Sequence, residues 1–111
     1  MNMATSLKAS HNNAHAASAR LVDDLNEDLR RELQAIAQYN AYAAAVRGPL
    51  RLQLVDLFRG EIADELGHAQ YLADKVATLG GTPVTSIPGV EVPQRPKEMV
   101  EAVLTAERDA V

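Results

Sequence analysis

Apolar positions recur along this chain at intervals of three and four residues over two long segments, the spacing of one face of an α-helix. The first segment covers about 19–46, contains no Gly or Pro, and has its stripe at Leu21, Leu25, Leu29, Glu32, Ile36, Tyr39, Ala43 and Val46. The second covers about 50–79, with its stripe at Leu52, Val55, Phe58, Ile62, Glu65, Ala69, Leu72, Val76 and Leu79. The pattern predicts two long amphipathic helices.

Helix-breaking residues predict how these helices connect. Gly48-Pro49 places a Gly past the end of the first helix and a Pro in the first turn of the second, so the two form an antiparallel hairpin. Residues 80–96 hold four prolines and have no helical period, which predicts a long crossover. A third helix is predicted over about 97–111, with Glu107 on its apolar face. Together these elements predict an all-α bundle with one long connection.

Composition and charge narrow the class of protein. Only one Phe and no Trp accompany a hydrophobic content of 47%, so the core is built mainly from Ala, Leu, Val and Ile, which suits closely packed helices. A net charge of −4 and the absence of any basic run argue against a surface that binds nucleic acid or anionic membranes. An acidic protein is better suited to binding cations. Without cysteine there is no disulfide, thiolate metal site or thiol catalysis.

The N-terminal segment differs from the rest of the chain. Residues 1–18 are biased towards Ala, Ser and Asn and have no apolar core of the secretion-signal type, so we expect a flexible arm in which His11 and His15 are solvated. The helical domain is then 19–111. No segment approaches the length of a membrane span, and we expect a cytoplasmic protein.

Glutamates interrupt the apolar stripe of each predicted helix, at Glu32, Glu65 and Glu107. Glu32 lies sixteen residues before Gly48, and Glu65 lies sixteen residues after the proline that follows it, so the hairpin sets them level. Facing carboxylates repel each other in a core unless a cation lies between them. His68 follows Glu65 by three residues and projects from the same side of the helix. Oxygen and imidazole ligands suit iron or manganese, and zinc would also bind.

Four short segments carry a resemblance to a known family: "ELQAIAQY" (32–39), "EIADELGHA" (61–69), "LGGTP" (79–83) and "LTAERDA" (104–110). From about residue 25 to residue 83 the sequence resembles the first helices of bacterioferritin and other ferritin-like di-iron proteins, with a weaker match in the third helix. The resemblance implies a four-helix bundle whose di-iron centre oxidises Fe(II) with dioxygen or peroxide, for iron storage or detoxification.

The resemblance also implies roles for individual residues in such a centre. Glu32 would be a terminal iron ligand, Glu65 a bridging ligand and His68 a terminal imidazole. Glu107 is the candidate carboxylate from the third helix. These residues would make the protein a ferroxidase.

Residues around these ligands have implied roles as well. Tyr39 matches a tyrosine beside the family's iron site, where it could hydrogen-bond a ligand or donate an electron. Glu61 and Asp64 match acidic positions on the iron access route of bacterioferritins. Leu66 stands where bacterioferritins have a haem-ligating methionine, so no haem is expected.

The sequence departs from the family pattern in having no fourth helix and no second Glu-x-x-His, so one chain cannot complete the metal site. Two copies of the hairpin related by a two-fold axis would supply two each of Glu32, Glu65 and His68, as in short proteins resembling the encapsulated ferritins. We therefore expect a homodimer or larger homo-oligomer, in which Glu107 would be dispensable. If the chain is instead a fragment of a longer ferritin-like protein, Glu107 would matter.

A non-enzymatic interpretation stays open beside the metal site. Glu65 and His68 could lie at the solvated edge of the core, paired with an arginine, and the chain could act through oligomerisation or partner binding. Exposed Glu32 and Glu65 would favour that alternative. Gly67 lowers helix stability, so it indicates either close approach by a neighbouring helix or subunit, or a tolerated substitution.

Overall fold

The computed structural model describes residues 3–109, with side chains from residue 13 onwards. Three helices form this part of the chain: α1 (Met3–Ala45), α2 (Arg51–Thr78) and α3 (Pro96–Asp109). Within residues 3–109 there is no strand, so the all-α prediction is confirmed. Helices α1 and α2 pack against each other as the predicted antiparallel hairpin.

Helix α1 begins at Met3, so its predicted start near residue 19 was wrong. Residues 3–18 contain no Gly or Pro and are rich in Ala, which has the highest helix propensity, so nothing in this stretch ends the helix. Every residue from 13 to 20, including His15, is exposed, so this part of α1 runs beyond the hairpin. The flexibility proposed for residues 1–18 stays a prediction, and the side chain of His11 lies outside the described part.

Glycines in the left-handed conformation end both long helices. Gly48 has φ 106° and Gly80 has φ 84°, values that a residue with a Cβ rarely adopts. The amide of Arg51 donates to the carbonyl of Gly48 at 3.1 Å, which closes the turn of the hairpin. Both ends of α2 lie within one residue of the predicted limits because these glycines fix them.

The hydrophobic core is densest near the hairpin turn. The ring of Phe58 lies between those of Tyr39 and Tyr42, at centroid distances of 6.1 and 5.7 Å. Met99 brings α3 onto this cluster and is fully buried. The buried members of the cluster are Tyr39, Tyr42, Ala43, Val46, Val55, Phe58 and Met99. Packing α3 at this point brings its C-terminal half towards Tyr39.

Side chains of α1 fix the course of the crossover. Asn26 donates from Nδ2 to the carbonyl of Thr82 at 3.0 Å, and its Oδ1 accepts from the amide of Val84 at 2.9 Å. Gly81 approaches α1 so closely that an added Cβ would lie 2.5 Å from Cγ1 of Val22. These contacts hold the crossover against the hairpin on its way to α3.

The described chain is elongated and leaves much of its apolar surface uncovered. Its radius of gyration is 19.5 Å, against about 13 Å for a compact domain of this length. Six of the exposed apolar or aromatic side chains belong to α2, to α3 or to the turn before α2: Leu50, Leu52, Leu57, Leu66, Tyr71 and Leu104. None of the helices in residues 3–109 combines the length and apolarity needed to cross a membrane.

Candidate metal centre

Glu32, Glu65 and His68 meet between α1 and α2, as the register of the hairpin predicts. Ligand-type atoms from all three lie within 4.8 Å of one another. Nδ1 of His68 is 3.7 Å from Oε2 of Glu32 and 3.8 Å from Oε2 of Glu65. Both distances are too long for hydrogen bonds. The three side chains therefore surround a small space instead of bonding directly to one another.

The chemistry of this space fits a divalent metal ion. Glu65 is buried, with 9% of its surface exposed, and Oε2 of Glu32 is buried with no hydrogen-bond partner among the described residues. None of the ion pairs found in that part of the chain joins Glu32 or Glu65 to an arginine or lysine. A metal at about 2.0–2.2 Å from each ligand holds ligand atoms roughly 3–4 Å apart, and the two distances from Nδ1 of His68 lie in that range.

The charge state of Glu32 reflects this environment. Burial raises the pKa of Glu32 above 4.5, the nearby imidazole of His68 opposes the rise, and the charges of Glu107 and Asp28 add to it. A carboxyl group with a raised pKa holds a proton more readily when no cation is bound. A cation placed beside Glu32 would favour its ionised form.

A second group of potential ligands adjoins the first. Glu61, Glu65 and Glu107 also bring carboxylate oxygens within 4.8 Å of one another, so Glu65 is common to both groups. The hydroxyl of Tyr39 donates to Oε1 of Glu107 at 3.0 Å. Burial, followed by the carboxylate of Glu107, raises the pKa of Tyr39 well above its usual value, so the phenol keeps its proton. The structure thus brings Glu107 to Glu65 within one chain.

The other residues singled out in the sequence lie around these groups. Glu61 belongs to the second group, whereas Asp64 is exposed and belongs to neither. The access role of Asp64 stays a prediction. Leu66 is exposed, and the expected absence of haem stays a prediction as well.

Clefts flank Glu32 on both sides. One cleft, of about 410 Å³, is lined by residues of α1 and α3 together with Glu65. The other, of about 370 Å³, is lined by Asp28, Arg31, Glu32, His68, Tyr71 and Leu72. Asp28 and Arg31 were not identified from the sequence. One signal was present, because Asp28 precedes Glu32 by four residues, and like charges at that spacing are unfavourable in a helix unless something compensates them.

Comparison with known proteins places the chain in a family. The family model described as "Ferritin-like domain" matches residues 22–111, which is most of the chain. The chain belongs to the ferritin-like family, and the resemblance noted in the sequence is confirmed.

Individual relatives agree with this assignment. The bacterioferritin of Rhodobacter capsulatus is 29% identical over 94 residues, which cover 84% of this chain and 58% of the relative. The bacterioferritin of Streptomyces coelicolor is 34% identical over 92 residues, covering 82% of this chain and 55% of the relative. The chain thus spans a little more than half the length of these curated relatives.

Solved structures are similar over most of the chain. A crystal structure of ferritin-like, diiron-carboxylate proteins from Bacillus anthracis superposes with a TM-score of 0.80 at 44% identity, covering 84% of this chain and 67% of that one. The bacterioferritin-related protein of Bacteroides fragilis, described as a dodecameric thioferritin, has a TM-score of 0.73 at 26% identity and covers 82% and 60% of the two chains.

Proposed function

We propose that this chain binds iron at a di-iron carboxylate centre and oxidises Fe(II), in the service of iron storage or detoxification. The observation that carries the proposal is the position of Glu65, a buried carboxylate shared by two adjoining groups of potential ligands. A buried charge without a cationic partner is costly, and a pair of metal ions would compensate it from both sides. The diiron-carboxylate relative from Bacillus anthracis supports the choice of iron.

In the proposed centre each ligand has a separate task. Glu32 and His68 would hold one ion, Glu61 and Glu107 would contribute to the other, and Glu65 would lie between them. Two Fe(II) substrate ions would each give one electron, reducing dioxygen to hydrogen peroxide or peroxide to water with uptake of two protons. The carboxylates stabilise the higher charge of the ferric product.

Tyr39 would orient the carboxylate of Glu107, and Glu32 would offer a buried carboxylate oxygen to the bound cation. The hydroxyl of Tyr39 donates to Glu107, which fixes the carboxylate while leaving its second oxygen for a cation. A bound cation would stabilise the ionised carboxylate of Glu32, because its buried Oε2 has no other partner among the described residues. The electron-donor role of Tyr39 remains part of this proposal.

A second copy of the chain would complete the coordination. Residues 3–109 contain a single Glu-x-x-His, and ferritin-like centres use two. A second chain would supply the missing Glu-x-x-His, and it would cover apolar surface that one chain exposes. The relative described as dodecameric supports a homo-oligomer.

The non-enzymatic alternative predicts a different environment for the two glutamates. A scaffold without metal would leave Glu32 and Glu65 solvated or paired with arginine. Glu65 is instead buried, and neither glutamate has an arginine or lysine partner among the ion pairs found in residues 13–109. These observations favour the metal centre.

Anaerobic titration of the metal-free protein with Fe(II) tests the proposal. Light scattering on the same sample gives the subunit number, and absorbance after air is admitted follows oxidation. We expect two tightly bound irons per centre and ferric absorbance that appears faster than in protein-free buffer. Weak binding with no acceleration of oxidation would contradict the proposal.

A further inference from the structure

Arg31 lies beside the proposed metal centre, where its positive charge should repel an incoming metal ion. Nη1 of Arg31 is 3.3 Å from Oδ1 of Asp28, and both side chains are more than half exposed. Arg31 directly precedes Glu32, and Asp28 lies one turn before it. The arginine is therefore neutralised by a carboxylate that is itself close to the centre.

These two residues line a cleft that connects solvent with the centre. Asp28 and Arg31 form its α1 side, Tyr71 and His68 belong to α2, and Glu32 lies between the helices. The side chain of His68 is 64% exposed, so the cleft is open at the histidine. Glu32 lines the same cleft, and its buried Oε2 has no hydrogen-bond partner among the described residues. The Asp28 side chain is also more than half exposed, so a hydrated cation that enters this cleft meets a carboxylate beside the proposed ligands.

We propose that Asp28 and Arg31 form a gate for divalent cations, in which Asp28 receives the incoming ion in the cleft leading to Glu32 and His68. Arg31 stays paired with Asp28 until the metal ion displaces it and binds Asp28 in its place. This inference rests on the proposed function, since it requires that a metal binds at Glu32, Glu65 and His68. An exposed ion pair contributes little to stability, so a divalent ion can displace the arginine readily.

The gate competes with the access route implied by the family resemblance. That route runs past Glu61 and Asp64 on α2, and Asp64 does not line the cleft. A single charge change at Asp28 or at Asp64 therefore distinguishes the two routes.

Stopped-flow binding of Co(II) under anaerobic conditions and low salt measures the gate without any oxidation step. We expect Asp28→Asn to slow uptake about threefold to tenfold and Arg31→Gln to speed it up, with both effects lost in about 1 M salt. Equilibrium titration should give the wild-type number of ions for both variants. Asp64→Asn should leave the rate within about twofold of wild type.

The same helix offers matched controls. Nη1 of Arg30 is 2.8 Å from Oε2 of Glu27, an ion pair with the same spacing in sequence. This pair lines a different cleft, beside Thr82 and Val84. Glu27→Gln and Arg30→Gln change the net charge by the same amounts as the two test variants, so we expect them to leave the uptake rate near that of wild type.

Each outcome decides between the proposals. Equal rates for Asp28→Asn and Glu27→Gln would overturn the gate while leaving the metal centre intact. Slower uptake in Asp64→Asn alone would overturn it in favour of the route along α2. If wild-type protein binds no Co(II) or Fe(II), both the gate and the proposed function are wrong.

Discussion

Oε2 of Glu32 lies 3.7 Å from Nδ1 of His68, although the two residues belong to different helices. The contact depends on the hairpin register, which sets Glu32 level with Glu65 and therefore one turn from His68 on the facing helix. The oxygen is buried without a hydrogen-bond partner among the described residues. An arrangement of this kind is costly in the metal-free protein, and a cation between the two side chains would remove that cost.

Replacing the shared carboxylate should remove metal from both ligand groups. We expect Glu65→Gln to weaken Co(II) and Fe(II) binding about a hundredfold or more, because Glu65 belongs to both groups. Asp64→Asn is the matched control, since it makes the same charge change one residue earlier at an exposed position. Isothermal titration measures both variants. Equal affinities for Glu65→Gln and Asp64→Asn would show that Glu65 is not a ligand.

Glu32 should lower the stability of the metal-free protein near neutral pH. Since burial raises its pKa above 4.5, the folded state holds this proton more tightly than the unfolded chain does. The resulting stabilisation is fully present below pH 4.5 and is lost as the pH rises through the raised pKa. Glu32→Gln removes this ionisation. We therefore expect metal-free Glu32→Gln to be more stable than wild type at about pH 7 by about 1 kcal/mol, or roughly 4 °C in Tm.

Thermal unfolding between about pH 4.5 and 7 checks this expectation. The difference between Glu32→Gln and wild type should narrow as the pH falls, because the wild-type carboxyl group then regains its proton. Glu101→Gln, at an exposed position of α3, should change Tm little at any of these pH values. A metal-free Glu32→Gln protein that is less stable than wild type near neutral pH would count against a strained carboxylate.

The hydrogen bond from Tyr39 to Glu107 should affect iron chemistry as well as stability. Tyr39→Phe loses one hydrogen bond to a carboxylate, which costs about 1–3 kcal/mol, and leaves Glu107 free to turn away from Glu65. We expect the rate of Fe(II) oxidation to fall about tenfold. Stopped-flow absorbance gives that rate, and chemical denaturation gives the stability.

Tyr42→Phe separates the two effects. The hydroxyl of Tyr42 accepts from Gln38 at 3.2 Å and donates to the carbonyl of Glu91 at 3.4 Å, away from both ligand groups. This variant should lose stability but keep the wild-type oxidation rate. If both tyrosine variants slow oxidation equally, Tyr39 affects the rate by stabilising the hydrophobic core and not by its hydrogen bond to Glu107.

Gly67 should matter for assembly and not for folding of the single chain. Within the described residues, an added Cβ at Gly67 or at Gly60 meets nothing within 4 Å, so the close approach proposed for Gly67 is not made by another helix of this part of the chain. Alanine at either position should raise monomer stability by up to about 1 kcal/mol. If a second subunit approaches at Gly67, beside the exposed Leu66, Gly67→Ala should also weaken the oligomer.

Light scattering over a range of protein concentrations compares these two glycine variants. We expect Gly67→Ala to dissociate at higher concentration than Gly60→Ala. Identical dissociation of both variants would exclude a subunit contact at Gly67.

Local signals in the sequence were sufficient for much of the fold. Gly48 and Gly80 predict the ends of the long helices because each adopts a conformation that favours glycine, and the equal spacing of Glu32 and Glu65 from the turn predicts their meeting. The start of α1 was missed because an Ala-rich polar segment forms a helix without any apolar stripe. Helix propensity alone decides that segment, since none of residues 13–20 is buried.

The third helix shows why the rest of the site could not be predicted. Whether Glu107 reaches Glu65 depends on where along the length of the hairpin the crossover places α3. That position is fixed by long-range contacts, such as the two hydrogen bonds of Asn26, which carry no periodic pattern. A signal did exist, because Asn has a low helix propensity and its position inside α1 therefore calls for a tertiary reason.

A crystal structure of the iron-loaded protein, with anomalous diffraction measured at the iron absorption edge, would locate the bound iron ions. We expect two iron peaks roughly 3.5–4 Å apart. Both should contact Glu65, one between Glu32 and His68 and the other beside Glu107. Iron found only at exposed carboxylates, with none at Glu65, would contradict a shared di-iron centre.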